Sequence, residues 1–266
     1  MYLQDIYIYP IKSLGGIRLE QAVLEERGFQ YDRRWMLVDR DGQFLSQRTI
    51  PQMALIQVAV ADEGLKVFIK NQPEDYIIVP YRPQTNDLID VQIWEDQVKG
   101  QLVNQVCDAW FSKILGFPCQ LVFMPLSTSR KLKPKYAVNG ESVSFADGMP
   151  YLIIGQSALD DLNSRLNVAV PMDRFRPNLV FAGGDPFEED HWDKVRIGEA
   201  IFKVTKPCAR CVMTTVDQQT AKKGKEPLKT LATYRTVNNQ VMFGQNMLLL
   251  EGAEVKVGDP VGIEKK

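Results

Sequence analysis

Two thiols three residues apart, in Lys206-Pro207-Cys208-Ala209-Arg210-Cys211, are the side chains of this sequence best equipped for chemistry. A thiolate can attack, exchange disulfides or ligate a soft metal, and a neighbouring cation favours the deprotonated form. Arg210 stands directly before the second thiol. Half a zinc ribbon would need a second pair of Cys or His nearby, but Cys107 and Cys119 are widely spaced and sit in apolar sequence. A thioredoxin-like dithiol should open a helix after a strand, whereas Val212-Met213-Thr214-Thr215-Val216 reads as a strand. The third reading is a single functional thiolate, Cys211, helped by Arg210.

Three other polar groups fall at strand ends, where loops can converge on one pocket. They are Lys12-Ser13 after Tyr9-Pro10, Asp32-Arg33-Arg34-Trp35, and Arg174-Phe175-Arg176-Pro177-Asn178. Taken singly each has a bland explanation, since lysines are usually solvated and an arginine before a tryptophan can simply stack on it. Together they offer several cations, an amide and a thiol, a set suited to a polyanionic ligand with a polar ring system. No Gly-x-Gly-x-x-Gly or Walker A pattern follows a strand, so a nucleotide fold is not supported. The single histidine, His191, lies in an acidic stretch and reads as a solvated surface residue; multi-His metal sites are excluded.

The elements that must position these groups are mostly strands. Ile6 and Ile8 alternate with Tyr7 and Tyr9 before Pro10 ends the run. Trp35–Val38 closes on Asp39-Arg40-Asp41-Gly42, whose Asp-Gly signals a hairpin. Further strands are expected at 54–60, 65–69, 76–79, 151–154, 179–181, 201–205, 212–216 and 247–250. Between them, Val103, Val106, Cys107, Trp110, Phe111, Ile114 and Leu115 follow helical spacing and stop at Gly116. Cys107 then lies on a buried face, and Cys119 also reads as structural. Ser157-x-x-Asp160 resembles a capping box ahead of the stripe Ala158, Leu159, Leu162 and Leu166. Val257-Gly258-Asp259-Pro260-Val261 reads as a tight turn.

With 266 residues, 45% hydrophobic and 24% charged, the composition is that of a globular protein of one large core or, better, two modest domains. A net charge of -1 gives no pointer to nucleic acid or to an anionic membrane. No run approaches the roughly 20 apolar residues of a membrane span, and no secretory signal pattern opens the chain. Four cysteines are too few for a disulfide scaffold at this length, so a cytoplasmic location is expected.

The ordered set Tyr9-Pro10-Ile11-Lys12-Ser13, Asp32-Arg33-Arg34-Trp35, Phe175-Arg176-Pro177-Asn178 and Cys208-Ala209-Arg210-Cys211 with Thr214-Thr215-Val216-Asp217 resembles the MOSC superfamily. The resemblance is to members that join an N-terminal MOSC-associated β-barrel to a MOSC domain, and it covers essentially the whole chain. Leu162-Asn163-Ser164-Arg165-Leu166, Lys225-Glu226-Pro227-Leu228 and Phe243-Gly244-Gln245 belong to the same pattern. It implies a mainly β fold with a few helices, a β-barrel-rich α+β architecture, with a barrel over 1–122 followed by a MOSC β-barrel over 123–266. It further implies the molybdenum cofactor, a molybdenum–pterin dithiolene, with Cys211 as the protein's metal ligand, a soft donor for that metal. Cofactor contacts are implied at Lys12, Ser13, Arg33, Gly148, Met149, Arg176, Asn178, Ala209 and Arg210. Lys12, Arg33 and Arg176 would meet phosphate and pterin oxygens, and Asn178 a pterin edge. Asp147 corresponds to the family's acidic residue near the metal, there to help protonate a departing oxygen or to orient the turn before Pro150. Gly148 and Met149 stand where relatives carry hydroxyls, and Asn246 where animal members carry an aromatic ring. The implied activity is reduction of small N-hydroxylated compounds such as amidoximes, hydroxylamines and N-hydroxylated bases. Electrons would come from a separate iron–sulfur, haem or flavin protein. The alternatives are a non-catalytic carrier of the cofactor and a sulfur carrier acting through Cys211. Cys208 reads as packing or as a thiol behind the site.

Overall fold

The computed structural model describes residues 1–265 and is built mainly of strands, with three α-helices among those residues. The large sheet runs in the order Val261–Lys265, Trp192–Ile197, Ala200–Arg210, Gln240–Glu251, Tyr151–Gly155, Leu179–Ala182, Tyr2–Ile8 and Ile17–Leu19. Its neighbours are antiparallel except Tyr151–Gly155 beside Leu179–Ala182, a parallel pair whose crossover contains the helix Gln156–Ser164. The sheet curls until its ends meet: Tyr2 bridges Pro260, and the Val261 amide donates to the Met1 carbonyl at 3.0 Å. Leu3, Ile6, Phe29, Tyr151, Phe181, Trp192 and Phe202 fill the interior.

The middle of the chain forms two smaller sheets. Trp35–Val38, Gln120–Phe123, Asp96–Leu102 and Leu88–Ile93 make one, and Ile56–Ala61, Gly64–Ile69 and Gln72–Pro80 the other. Helix Gln105–Leu115 closes their core, with Cys107 and Phe111 buried beside Trp35 and Leu121. The side chain of Asn104 caps this helix by accepting from the Cys107 amide at 2.7 Å, and Gly116 ends it at φ 79°.

Several local expectations change. Val106, counted on the apolar face, is 70% exposed, because the stripe there narrows to Cys107 and Phe111. The run expected to be a strand from residue 54 begins as the 3-10 turn Pro51–Leu55, where a proline at the start favours the turn. Ser157 forms no capping box; the helix starts two residues earlier, at Gln156 with Gly155 as its N-cap, and the Ser157 hydroxyl bonds the Asp185 carbonyl instead. Ala158, Leu159 and Leu162 are buried as the stripe required. His191 is exposed.

The division at residue 122 does not describe how the strands pair. Tyr2–Ile8 lies in the large sheet against Leu179–Ala182, and Gln21–Glu25 pairs with Glu254–Lys256. Gln120–Phe123 pairs with Trp35–Val38. The opening segment thus belongs in space with the last hundred or so residues, and only from about Trp35 does the chain enter the smaller sheets. Between the two lies Tyr9–Gly16, held to the Trp35 strand by an Ile11–Trp35 bridge and by the Lys12 amide on the Trp35 carbonyl at 2.8 Å. A fragment of residues 123–266 would expose the Leu179–Ala182 edge and lack Leu3, Ile6, Ile8 and Phe29 from its core. Such a fragment should show no cooperative thermal transition by circular dichroism, and a sharp native-like melt would contradict this pairing.

Candidate functional site

A cavity of about 610 Å³ opens between the large sheet and the smaller ones. Every residue picked out for the site lines it: Lys12, Ser13, Arg33, Asp147, Gly148, Met149, Arg176, Asn178, Ala209, Arg210 and Cys211. Ten lysines and arginines face it against three carboxylates, Glu95, Asp96 and Asp147, in a chain whose net charge is -1. The positive charge is therefore gathered here rather than spread over the surface.

The walls come from the segment between the sheets. Tyr9 is sandwiched by cations: the guanidinium carbons of Arg33 and Arg176 lie 4.3 and 4.1 Å from its ring centre. Asp32, fully buried, accepts from Arg33 Nη1 at 2.8 and 2.7 Å and from the Tyr9 amide at 2.8 Å. Arg176 donates from Nη1 to the Leu14 carbonyl at 2.7 Å, and burial pulls its pKa down to about 10, still charged at neutral pH. Ser13, Arg33 and Arg176 all have left-handed backbones, at φ 66°, 50° and 53°. Each such non-glycine conformation costs on the order of 1 kcal/mol and persists where the surroundings enforce it, typically at functional sites. The arginine before Trp35 does not stack on that ring; Arg34 pairs with Glu25.

Lys12 is buried, donating from Nζ to the Phe145 carbonyl at 2.8 Å and to Asp147 Oδ1 at 2.5 Å. Burial pulls this ammonium down to about 8, with Asp147 opposing the shift. Asp147 is half open to the cavity but densely ringed by protein. Burial raises its pKa, and Lys12 and Arg48 overcome that effect and hold the carboxyl well below the usual range. Asp147 is therefore ionised at neutral pH and cannot itself begin as a proton donor, which leaves Lys12 as the protonated member of the pair. Asn178 ties strands together: Nδ2 donates to the Tyr7 carbonyl at 3.1 Å and Oδ1 accepts from the Leu152 amide at 3.3 Å. One Nδ2 hydrogen and one Oδ1 lone pair are thus used on backbone, and the other hydrogen and lone pair remain at the cavity wall. Gly148 has no atom within 4 Å of where a Cβ would stand, while Met149 packs on Leu132 and Leu248.

The cysteine pair ends the strand Ala200–Arg210, with Cys211 just beyond it. Val212–Thr215 is a 3-10 turn, not the expected strand. The Thr214 and Thr215 hydroxyls donate back to the carbonyls of Cys211 and Val212 at 3.0 and 2.7 Å, a local bond that draws threonines out of extended structure. The strand ends between the two thiols, and both line the cavity. Cys208 packs against the cluster of Leu152, Phe175 and Phe243, and accepts from Arg210 Nη1 at 2.9 Å. Arg210 therefore serves Cys208 and the Phe175 carbonyl, 2.6 Å from Nη2, rather than Cys211. The cation at Cys211 is Arg48, whose Nε lies 3.2 Å from Sγ. Arg48 also donates from Nη2 to Asp147 Oδ2 at 3.2 Å and lies 4.0 Å from the centre of the Trp94 ring, and Trp94 Nε1 bonds Asp147 Oδ1 at 3.3 Å.

Arg48, Trp94 and Arg130 were missed in the sequence. Arg48 is set by its neighbour Gln47, buried and bonded both to the Ser13 carbonyl and, reciprocally, to Gln218 beyond the cysteine turn. Arg130 Nη1 grips the carbonyls of Ser144 and Ala146 at 3.0 and 2.5 Å, shaping the loop that carries Asp147. Nothing local in Gln47-Arg48-Thr49 or Ser129-Arg130-Lys131 marks these arginines, because their partners are more than ten residues away in sequence.

Among the described residues no group of three or more His, Cys, Asp and Glu could hold a metal ion, so a metal at Cys211 would have to arrive with most of its own ligands. The donors present fit an anionic, many-oxygened group: Lys12, the Arg33 and Arg176 guanidiniums, and Arg210 Nε, which is buried without a hydrogen-bond partner. Fold and site together define a two-barrel β protein with a cationic ligand cavity that holds a partly exposed thiol. Residues 1–118 match the MOSC N-terminal beta barrel domain and residues 140–262 the MOSC domain, and the chain belongs to this family. It is 31% identical over 275 residues to mitochondrial amidoxime-reducing component 1 of Mus musculus, covering 97% of this chain and 80% of that protein. The Homo sapiens counterpart is 30% identical over 279 residues, with 97% and 81% covered. A molybdenum cofactor sulfurase of Oryza sativa subsp. japonica is 33% identical over 278 residues, but the chain spans only 33% of its length.

Cys107 and Cys119 are inert thiols, pushed up by burial to about 12 and about 11. Iodoacetamide applied to the native, cofactor-free protein at neutral pH should therefore alkylate Cys208 and Cys211 first, as read by peptide mass spectrometry. Early labelling of Cys107 would contradict the packing described.

Proposed function

We propose that this protein binds the molybdenum cofactor with Cys211 as protein ligand and reduces N-hydroxylated compounds, taking electrons from a separate donor protein in a reducing, cytoplasmic compartment. The observation that carries the reading is Cys211 itself: a partly exposed thiol beside Arg48 in a cavity lined by ten cations. Amidoxime-reducing relatives matched along nearly the whole chain add support. When bound, the cofactor would supply the redox couple and the oxygen-accepting metal. Lys12, Arg33, Arg176 and Arg210 would hold its anionic and polar edges, and Ser13, Ala209 and the Gly148 backbone would line it.

Cleaving an N–OH bond by reduction takes two electrons and two protons and releases water. The chain offers a proton at Lys12 Nζ, with Asp147 Oδ1 in contact to pass it outward. Arg48 would fix both the Cys211 sulfur and the Asp147 carboxylate, keeping proton and ligand in register. A non-catalytic cofactor carrier would use the same cradle, and the test between them is turnover.

Protein made in a cofactor-competent host should contain molybdenum in a near one-to-one ratio and reduce benzamidoxime with a supplied donor. Cys211→Ser should lose the metal and fall to background, whereas Arg48→Ala should keep its fold and lose roughly 10- to 100-fold in activity, as for other partners of a metal ligand. Full metal content with no turnover under any donor would leave the carrier reading in its place.

A second test concerns pH. The Lys12 ammonium is present below about 8 and lost above it. If it supplies the proton, turnover falls as pH rises through about 8, and Lys12→Met abolishes that limb of the profile. A wild-type rate flat from pH 7 to 9 would remove Lys12 from the proton path.

A further inference from the structure

The deep cations of the cavity are matched by Asp32, Asp147, the Tyr9 ring and backbone carbonyls, but those at its rim are not. Lys133 meets only Glu95, at 3.3 Å with both side chains largely exposed, a pair of little strength. Lys135 and Lys206 have no carboxylate partner among the described residues. Both ammoniums instead converge on one ring, 4.7 and 4.0 Å from the centre of Tyr136. Two like charges drawn to one ring repel each other, and an anion between them would relieve that repulsion. The phenol feels the same field: a hydrogen bond from Lys135 and the charge of Lys206 hold its pKa below the ordinary value, against the opposing effect of burial.

This rim is braced. Arg130 at its start bonds Asp96 Oδ2 at 2.7 Å and the carbonyls beside Asp147. The Leu132 amide donates to the Glu141 carbonyl at 3.0 Å, and Tyr136 packs against the apolar cluster that includes Leu132 and Met149. Lys206 precedes Cys211, which lies just past the strand's end, by five residues, at most about 17 Å of extended chain, and both line the cavity. A ligand that touches both Lys206 and Cys211 must carry more than a bare phosphate, and a nucleoside monophosphate is of that kind.

We propose that Lys135, Lys206 and Tyr136 form a substrate subsite for a phosphate group, carried by the same molecule that presents its N–OH to Cys211. The inference rests on the reductase reading for its kinetics but not for its binding. It separates phosphorylated N-hydroxylated compounds from neutral ones that fill only the inner cavity.

The test compares N4-hydroxycytidine with its 5′-monophosphate as substrates of the holoprotein. The monophosphate should have a KM roughly three- to tenfold lower at low ionic strength, the range given by two exposed charge pairs. The ratio of the two KM values should fall toward one at high salt and in the double variant Lys135→Gln/Lys206→Gln, whose melting temperature verifies its fold. In parallel, calorimetry should show cytidine 5′-monophosphate binding more tightly than cytidine, with the preference lost in the double variant. That arm stands even if neither compound is reduced, so failure of the reductase reading and failure of the subsite are told apart. Equal KM values together with equal binding would overturn the proposal. So would inorganic phosphate competing as well as the nucleotide, or a double variant that raises only the KM for the electron-donor protein.

Discussion

The cost of holding many positive charges in one partly dehydrated cavity is the constraint that organises this molecule. Like charges repel more strongly where water is scarce, and each buried cation loses hydration. The chain offsets both terms with a fully buried carboxylate at Asp32, an ionised one at Asp147, a tyrosine ring between two guanidiniums, and main-chain carbonyls aimed at Lys12, Arg130 and Arg176. The compensation is incomplete by construction. Arg210 Nε stays buried without a partner, and the surplus of cations over carboxylates gives the cavity its positive potential.

That arrangement requires two bodies rather than one. Lys12 and Arg33 come from the turn between the sheets, Arg48 from the smaller sheets, and Arg176 and the cysteines from the large one. Left-handed residues at Ser13, Arg33 and Arg176 turn the backbone sharply where the two bodies meet. Glycine would relax those turns but would supply no side chain, so the strain is the consequence of asking one position to be both a corner and a ligand-facing group.

Much of this was legible in the sequence, for reasons that differ by element. Trp35–Val38 and the helix ending at Gly116 were readable because alternation, helical spacing and a glycine stop are local signals. The residues lining the cavity were readable because an ordered series of short motifs resembles a known family, which composition alone would never have supplied. Val212–Thr215 misled because β-branched residues favour strands until their hydroxyls find carbonyls three residues back. Arg48 was invisible, and Arg210 was given its role, because sequence adjacency is a poor guide to which cation meets which sulfur on an extended strand. The placement of the opening strand among the closing ones was hidden for the same reason: register across more than 170 residues leaves no trace in local pattern.

That last pairing bears on how the protein is made. Tyr2–Ile8 pairs locally with Ile17–Leu19 on one edge, but its other neighbours, Leu179–Ala182 and Pro260, follow it by more than 170 residues and are synthesised long after it. The smaller sheets and their helix, drawn from the middle of the chain, can pack while translation continues. The large sheet cannot close until Pro260 and Val261 have been made. During that interval one edge of an apolar strand waits unpaired, open to the wrong partners, and only afterwards does the cavity between the two bodies acquire its second wall.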